Sequence, residues 1–207
     1  YRTESINGMP SVDTDGDWFT ITDSATEFDA WDSMTMVIMW KWNGGSYWHP
    51  GIKKQGSNGN LGWEFSRMNV GAGQSTGMWW GTGSSKPRLR GSRSMDAYDP
   101  KIITVRYDGG STNLKFYANG AYIKEDNSIV SSLVSDTSAS FSLGNKFYYG
   151  ELLVYRDALS DADREFVEGY LAQKWGMTGY LPSGHAGLDT SGWALGRGSN
   201  SNGVSAI

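Results

Sequence analysis

The chain has 207 residues, no cysteine and a formal net charge of −4. Such a length fits one domain of the larger all-β kind with a real core. The missing thiols exclude disulfide support, thiol catalysis and Cys-ligated zinc, and the acidic balance excludes a broad nucleic-acid footprint. Glycine is abundant at 28 and proline sparse at 5, which suits many tight turns, while 10 tryptophans leave a surplus for either a Trp-rich core or a ligand face. No apolar run approaches a membrane span. The opening at Tyr1, without a signal peptide, reads as an excised or processed piece of something longer.

Residues 1–22 read as a strand, a turn and a second strand, with Asn7-Gly8 and Asp15-Gly16 as turn signals. Residues 34–42 are the strongest strand. Met34, Met36, Ile38, Trp40 and Trp42 alternate with Thr35, Val37, Met39 and Lys41, so both faces are largely apolar and a central, doubly covered strand is expected. Residues 44–51 read as a glycine-rich loop carrying Tyr47, Trp48, His49 and Pro50. Shorter strands are expected near 62–68, 77–82 and 88–90, with a polar turn over 70–76 between the first two. Residues 102–107 and 113–118 follow as strands, and Asn119-Gly120 makes a hairpin into 121–124.

Residues 140–144 lead to a closing strand over 150–155. Ser160, with Asp163 three residues on, starts a helix predicted over Asp161–Lys174, where Phe166, Val167, Tyr170, Leu171 and Trp175 share one stripe. Gly176 supplies a left-handed cap and Pro182 blocks continuation. From Ser183 the composition turns to Gly, Ser and Asn, which favours a linker; the alternative is an ordered arm anchored by Trp193. The division is therefore a domain over 1–182 and a tail over 183–207.

The run Tyr149-Gly150-Glu151-Leu152-Leu153-Val154-Tyr155, then Ala158-Leu159-Ser160-Asp161-Ala162, Val167-Glu168-Gly169-Tyr170-Leu171, Lys174-Trp175-Gly176 and Leu181-Pro182 resembles the closing segment of bacterial and phage laminin-G-like domains. These belong to the concanavalin A-like lectin/glucanase superfamily. The stretch 6–19, with Asn7-Gly8, Pro10 and Asp15-Gly16, is similar to that family's opening motif, although Thr14 stands where an aromatic is usual and the turn is one residue shorter. Residues 114–120 resemble the family's strand ending in Asn-Gly, and a longer family insert is trimmed here to Asn145-Lys146-Phe147-Tyr148. The resemblance implies an all-β, antiparallel two-sheet β-sandwich of the jelly-roll kind with one short C-terminal α-helix. It implies a binding or adhesion module, without fixing the ligand.

Several constellations carry candidate chemistry. Sugar rings stack on indoles, which points to Trp48 with its neighbour His49, and to Trp79 and Trp80, adjacent residues that face opposite sides of a strand so that one leaves the core unless both faces are covered. Tyr148 is a further candidate. Arg88 and Arg90 lie two apart on one strand face and suit a carboxylate or sulfate; the alternative is a solvated face. Asp13, Asp15 and Asp17 alternate beside Gly16 and offer hard oxygens to Ca2+, although the spacing is not that of an EF-hand and a solvated turn is the alternative.

Catalysis has little support. The Glu-x-Asp-x-x-Glu strand of related glucanases is absent, and His49 and His185 sit in no triad-like or metal-spaced motif. The expectation is a non-catalytic module that recognises a carbohydrate or a peptide end on a cell surface, near Trp48, Trp80 and Tyr148, with calcium as a candidate cofactor. The rival is a structural decoration or interaction domain of a virion or large surface assembly, docking neighbouring domains through its tail. Either places the chain outside the cell or on a virion.

Overall fold

A strand that is apolar on both sides demands cover on both sides, and β4 (Ser33–Trp42) has it. Met34, Met36, Ile38 and Trp40 enter a core with Phe65, Met78, Val105, Phe116 and Phe147, whereas Val37 and Met39 enter a second core with Ile102, Leu171 and Trp175. This computed structural model describes residues 2–22, 32–44, 49–55, 61–69, 74–81, 88–90, 99–109, 113–126, 139–144 and 146–189. Among them, one antiparallel sheet runs β1 (Arg2–Ile6), β2 (Met9–Asp13), β13 (Phe147–Tyr155), β4, β9 (Lys101–Asp108), β10 (Asn113–Ala118) and β11 (Ala121–Asp126). The other runs β3 (Trp18–Ile21), β12 (Phe141–Gly144), β5 (His49–Lys54), β6 (Trp63–Asn69), β7 (Gln74–Trp80) and β8 (Arg88–Arg90). The first core lies between the sheets, and the fold is the antiparallel two-sheet sandwich, with one C-terminal helix, that the family resemblance implies.

Local chemistry sets the connections. Asn7 and Gly8 have φ of 48° and 78°, and Asn119 and Gly120 have 48° and 77°, so both Asn-Gly pairs adopt the two left-handed central residues of a type I′ hairpin. The opening segment holds three strands rather than two, because the turn at 13–17 carries the chain from β2 in one sheet to β3 in the other. Strand β5 begins at His49, inside the stretch read as a loop.

The helix α1 (Asp161–Lys174) starts where expected: the Ser160 hydroxyl accepts the Asp163 N–H at 3.1 Å. Gly176 has φ 65° beyond its end, and the Asn7 side chain donates to the Trp175 carbonyl at 2.9 Å, tying the first hairpin to the helix terminus. The buried stripe differs from the expected one. Phe166 is 54% exposed, whereas Arg164 and Glu168 are buried with Leu171 and Ala172. The charges tolerate burial because they meet each other. Glu168 accepts from Thr104 Oγ1 at 2.6 Å and Arg164 Nη1 at 2.5 Å, with His185 Nε2 at 3.0 Å, and the Arg164 guanidinium lies 3.9 Å over the Tyr117 ring.

The packed chain runs on past Pro182. His185 is buried against the helix, a 3-10 turn spans Ala186–Leu188, and Glu165 accepts the Ala186 N–H at 2.9 Å. Trp193 lies outside the described residues.

Candidate functional site

Helix α1 packs on the seven-stranded sheet, against β4 and β9. The outward face of the six-stranded sheet carries no helix among the described residues. Its composition follows from the pairing register. Ile52, Phe65 and Met78 turn into the core, so their neighbours along each strand turn out. One transverse row then crosses all six strands: Thr20, Ser142, Lys53, Glu64, Trp79 and, by backbone pairing, Arg88. In the next row Trp18 pairs with Gly144, while Ser66 pairs with Gly77 and Gly77 with Arg90.

Trp18 lies flat over Gly144, where a Cβ would fall 2.4 Å from the indole, and the Lys53 ammonium sits 4.4 Å from its ring centroid. Glu64 is only 4% exposed, and its carboxylate accepts from the Ser66 hydroxyl. Trp79 and Lys53 flank it, both half-buried. From beneath, Tyr149 on the opposite sheet shares its hydroxyl between the carbonyls of Gly51 (2.6 Å) and Gly144 (2.8 Å), fixing β5 and β12 under the face. Burial pushes the Tyr149 hydroxyl well above its ordinary pKa, so it stays a neutral donor.

Charge separates the sheets. The six strands of this sheet hold five cationic residues, Lys53, Lys54, Arg67, Arg88 and Arg90, and a single acid, Glu64. The seven-stranded sheet is balanced, with six of each sign. Of the five cations Lys54 turns inward, fully buried, and donates to the Ala139 carbonyl. Among the described residues this face thus presents Trp18, Lys53 and Trp79, on strands rich in positive charge, while Ser142, Glu64 and Ser66 are buried beneath. Indoles stack on apolar ring faces, and cations hold anionic groups.

The expected site residues scatter. Trp79 and Arg88 share the row, and Arg90 stands in the next one. The Trp80 backbone pairs with core Trp63, and His49 opens β5 opposite Arg67. Trp48 lies outside the described residues. Tyr148 does not join them: it belongs to β13, packs against the second core beyond the seven-stranded sheet and donates to Asn43 Oδ1 at 2.8 Å. The acidic run folds as a turn. Asp13 Oδ1 accepts the Asp15 N–H at 3.0 Å, Asp15 pairs with Lys146, and buried Thr14 donates to the Phe147 carbonyl at 3.0 Å. Among the described residues no three His, Asp or Glu side chains gather as a metal cluster. Trp18, Lys53, Glu64 and Ser66 carry no local sequence signal, and only the pairing register brings them to one face.

No protein-family model and no curated protein sequence matches the chain. Solved structures do resemble it. The CBM40 module of the Ruminococcus gnavus IT-sialidase superposes with a TM-score of 0.53 at 21% identity, covering 65% of this chain and 81% of that one. The same module bound to α2,3 sialyllactose gives 0.53 at 22%, covering 65% and 80%. The binding domain of botulinum neurotoxin serotype D gives 0.64 at 12%, covering 84% of this chain and 47% of that one. At such identities the likeness establishes the fold alone, a two-sheet β-sandwich.

Proposed function

We propose that the domain is a non-catalytic glycan-binding module of a secreted or surface protein, and that its ligand lies on the outward face of the six-stranded sheet. The outward face carries this reading: half-buried Lys53 and Trp79 stand on the transverse row with the exposed Trp18 indole beside Lys53, above buried Ser142 and Glu64. The cationic surplus of that sheet favours an acidic sugar, because guanidinium and ammonium groups pair with a sugar carboxylate. The sialyllactose held by one structural neighbour supports the same class. Glycoside hydrolysis ordinarily needs two carboxylates, and the six strands supply only Glu64. Calcium at Asp13, Asp15 and Asp17 is a subsidiary proposal, resting on the acidic turn alone.

A glycan array probed with the labelled domain, with calcium and with chelator, tests the reading. Sialylated and uronate-bearing glycans should be retained, and Trp79→Ala should lose them. Loss on chelation assigns calcium. Absence of binding in both conditions overturns the module as a lectin and leaves the protein-facing role in a surface assembly or virion.

A further inference from the structure

We propose that the edge strand β3 pairs with its own copy in a second molecule, joining two six-stranded sheets edge to edge. Among the described residues, half of the exposed large apolar side chains gather at this rim: Val12, Trp18, Phe19 and Ile21, against Tyr122, Phe166, Tyr180 and Leu188 elsewhere. Phe19 pairs with Leu143 and Ile21 with Phe141, both of which pack with the first core. Phe19 and Ile21 therefore face the space between the sheets, yet they stay 55% and 42% exposed. On the opposite sheet Val12 pairs with core Tyr149 and is exposed as well. Among the described residues the sandwich is thus open and apolar along this rim, the kind of surface that marks a protein contact.

The sheet edges indicate the occupant. Among the described residues the seven-stranded sheet ends in β1 and β11, and the six-stranded sheet ends in β8 and β3. Strand β1 carries Arg2 and Glu4, β11 carries Lys124, Glu125 and Asp126, and β8 carries Arg88 and Arg90. Charges of this kind keep an edge strand from pairing with another chain. Strand β3, Trp-Phe-Thr-Ile, carries no charge and no proline, and its register with β12 runs unbroken from Trp18 to Ile21. An identical strand meets it without like-charge repulsion, whereas two copies of β8 would bring arginines together. A two-fold axis perpendicular to the sheet keeps outward residues opposite outward residues. Centred on Thr20, that axis sets Phe19 of each copy opposite Ile21 of the other and closes the open rim with apolar contact on both sides. A strand of four residues falls short of the roughly 800 Å² per partner of a stable dimer, so the association is weak and concentration-dependent.

The test is sedimentation equilibrium of the full chain from about 10 μM to about 1 mM. The expected result is a weight-average mass that climbs from one chain toward two across that range. Phe19→Lys and Thr20→Lys, both at exposed positions, bring like charges together across the axis. Each should hold the mass at one chain at every concentration, with a melting temperature near that of the parent. The two side chains lie on opposite faces of β3, so the second variant decides the matter if the first fails to fold. A parent that stays at one chain throughout overturns the second copy as occupant and leaves the rim to a different partner. A parental dimer that survives both substitutions also overturns it, by moving the contact to another surface, and a mass that climbs past two chains overturns the closed two-fold pairing.

Discussion

Gly169 on the helix and Gly187 on the C-terminal turn pack backbone against backbone. A Cβ built on Gly169 would lie 2.3 Å from the Gly187 Cα, and one built on Gly187 would lie 2.4 Å from the Gly169 Cα. The contact locks residues 183–189 to α1, so it makes those residues a working part of the domain. Gly169→Ala would gain up to about 1 kcal/mol of helix propensity, yet the neighbour it strikes is backbone and has no rotamer to yield. The expected net effect is a loss of about 1–3 kcal/mol, read as a fall of several degrees in the melting temperature. A melting temperature equal to or above that of the parent would show that the 183–189 turn does not need this contact.

Beneath the same turn lies the buried acid that seats the helix. Glu168 is fully buried and meets Thr104, Arg164 and His185 at once. Glu168→Leu would leave the Arg164 guanidinium buried without its main counter-charge, at a cost of about 3–5 kcal/mol. Replacing both partners by apolar residues removes the stranded charge, so Arg164→Met with Glu168→Leu should be more stable than Glu168→Leu alone. Denaturant unfolding of the parent, both single variants and the double variant measures this, and additive losses in the double variant would refute coupling through the ion pair.

These two contacts mark where sequence reading stops. Asn7-Gly8, Asn119-Gly120, Ser160 and Gly176 each declare a local conformation, and the structure places each one in it. The doubly apolar strand through Ile38 declares its central place for the same reason. Phe166 and Glu168 deceive, because hydrophobicity assigns the first to the core and the second to solvent, while the partners of Glu168 come from β9 and from beyond Pro182. Strand β5 hides behind His49-Pro50-Gly51, residues that signal a turn; here Gly51 is needed because a Cβ would strike Trp40 at 2.7 Å. The candidate site has no local motif. Its row takes one residue from each of six strands spread from Thr20 to Ser142, and only the pairing register assembles it.

Alkali should loosen the fold through its tyrosines. Burial raises the pKa of Tyr149 well above 10.0 and raises those of Tyr117 and Tyr155 as well, while the hydrogen bond that Lys174 donates to Glu151 raises that of Lys174. All four groups therefore hold their protons more tightly folded than unfolded. Above the unfolded value of 10.0 for tyrosine the unfolded chain binds fewer protons, so stability is intact below about pH 10 and falls as pH rises. Fully buried Tyr149 should contribute close to 1.4 kcal/mol per pH unit in that range. Tyr149→Phe loses about 1 kcal/mol at neutral pH with its shared hydrogen bond, but its stability should decline more gently with alkali. Unfolding midpoints between pH 8 and 11.5 test this, and an unchanged slope in the variant would remove Tyr149 as the cause.

Gly144 offers a way to disturb the candidate face without unmaking the fold. Its φ is not in the left-handed region, so alanine fits the backbone. The added methyl would instead meet the Trp18 indole at 2.4 Å and must lift or swing it. Because Trp18 is 38% exposed on an edge strand, its displacement should cost no more than about 1 kcal/mol of stability. If Trp18 belongs to the glycan site, Gly144→Ala should weaken binding of a glycan that the array retains about tenfold, a loss of about 1.4 kcal/mol. The melting temperature should barely move. Parallel calorimetric titration and thermal unfolding separate the outcomes. Weakened binding with a near-parental melt places Trp18 in the site, whereas parental affinity with a near-parental melt removes it and leaves the ligand to the Trp79 end of the row.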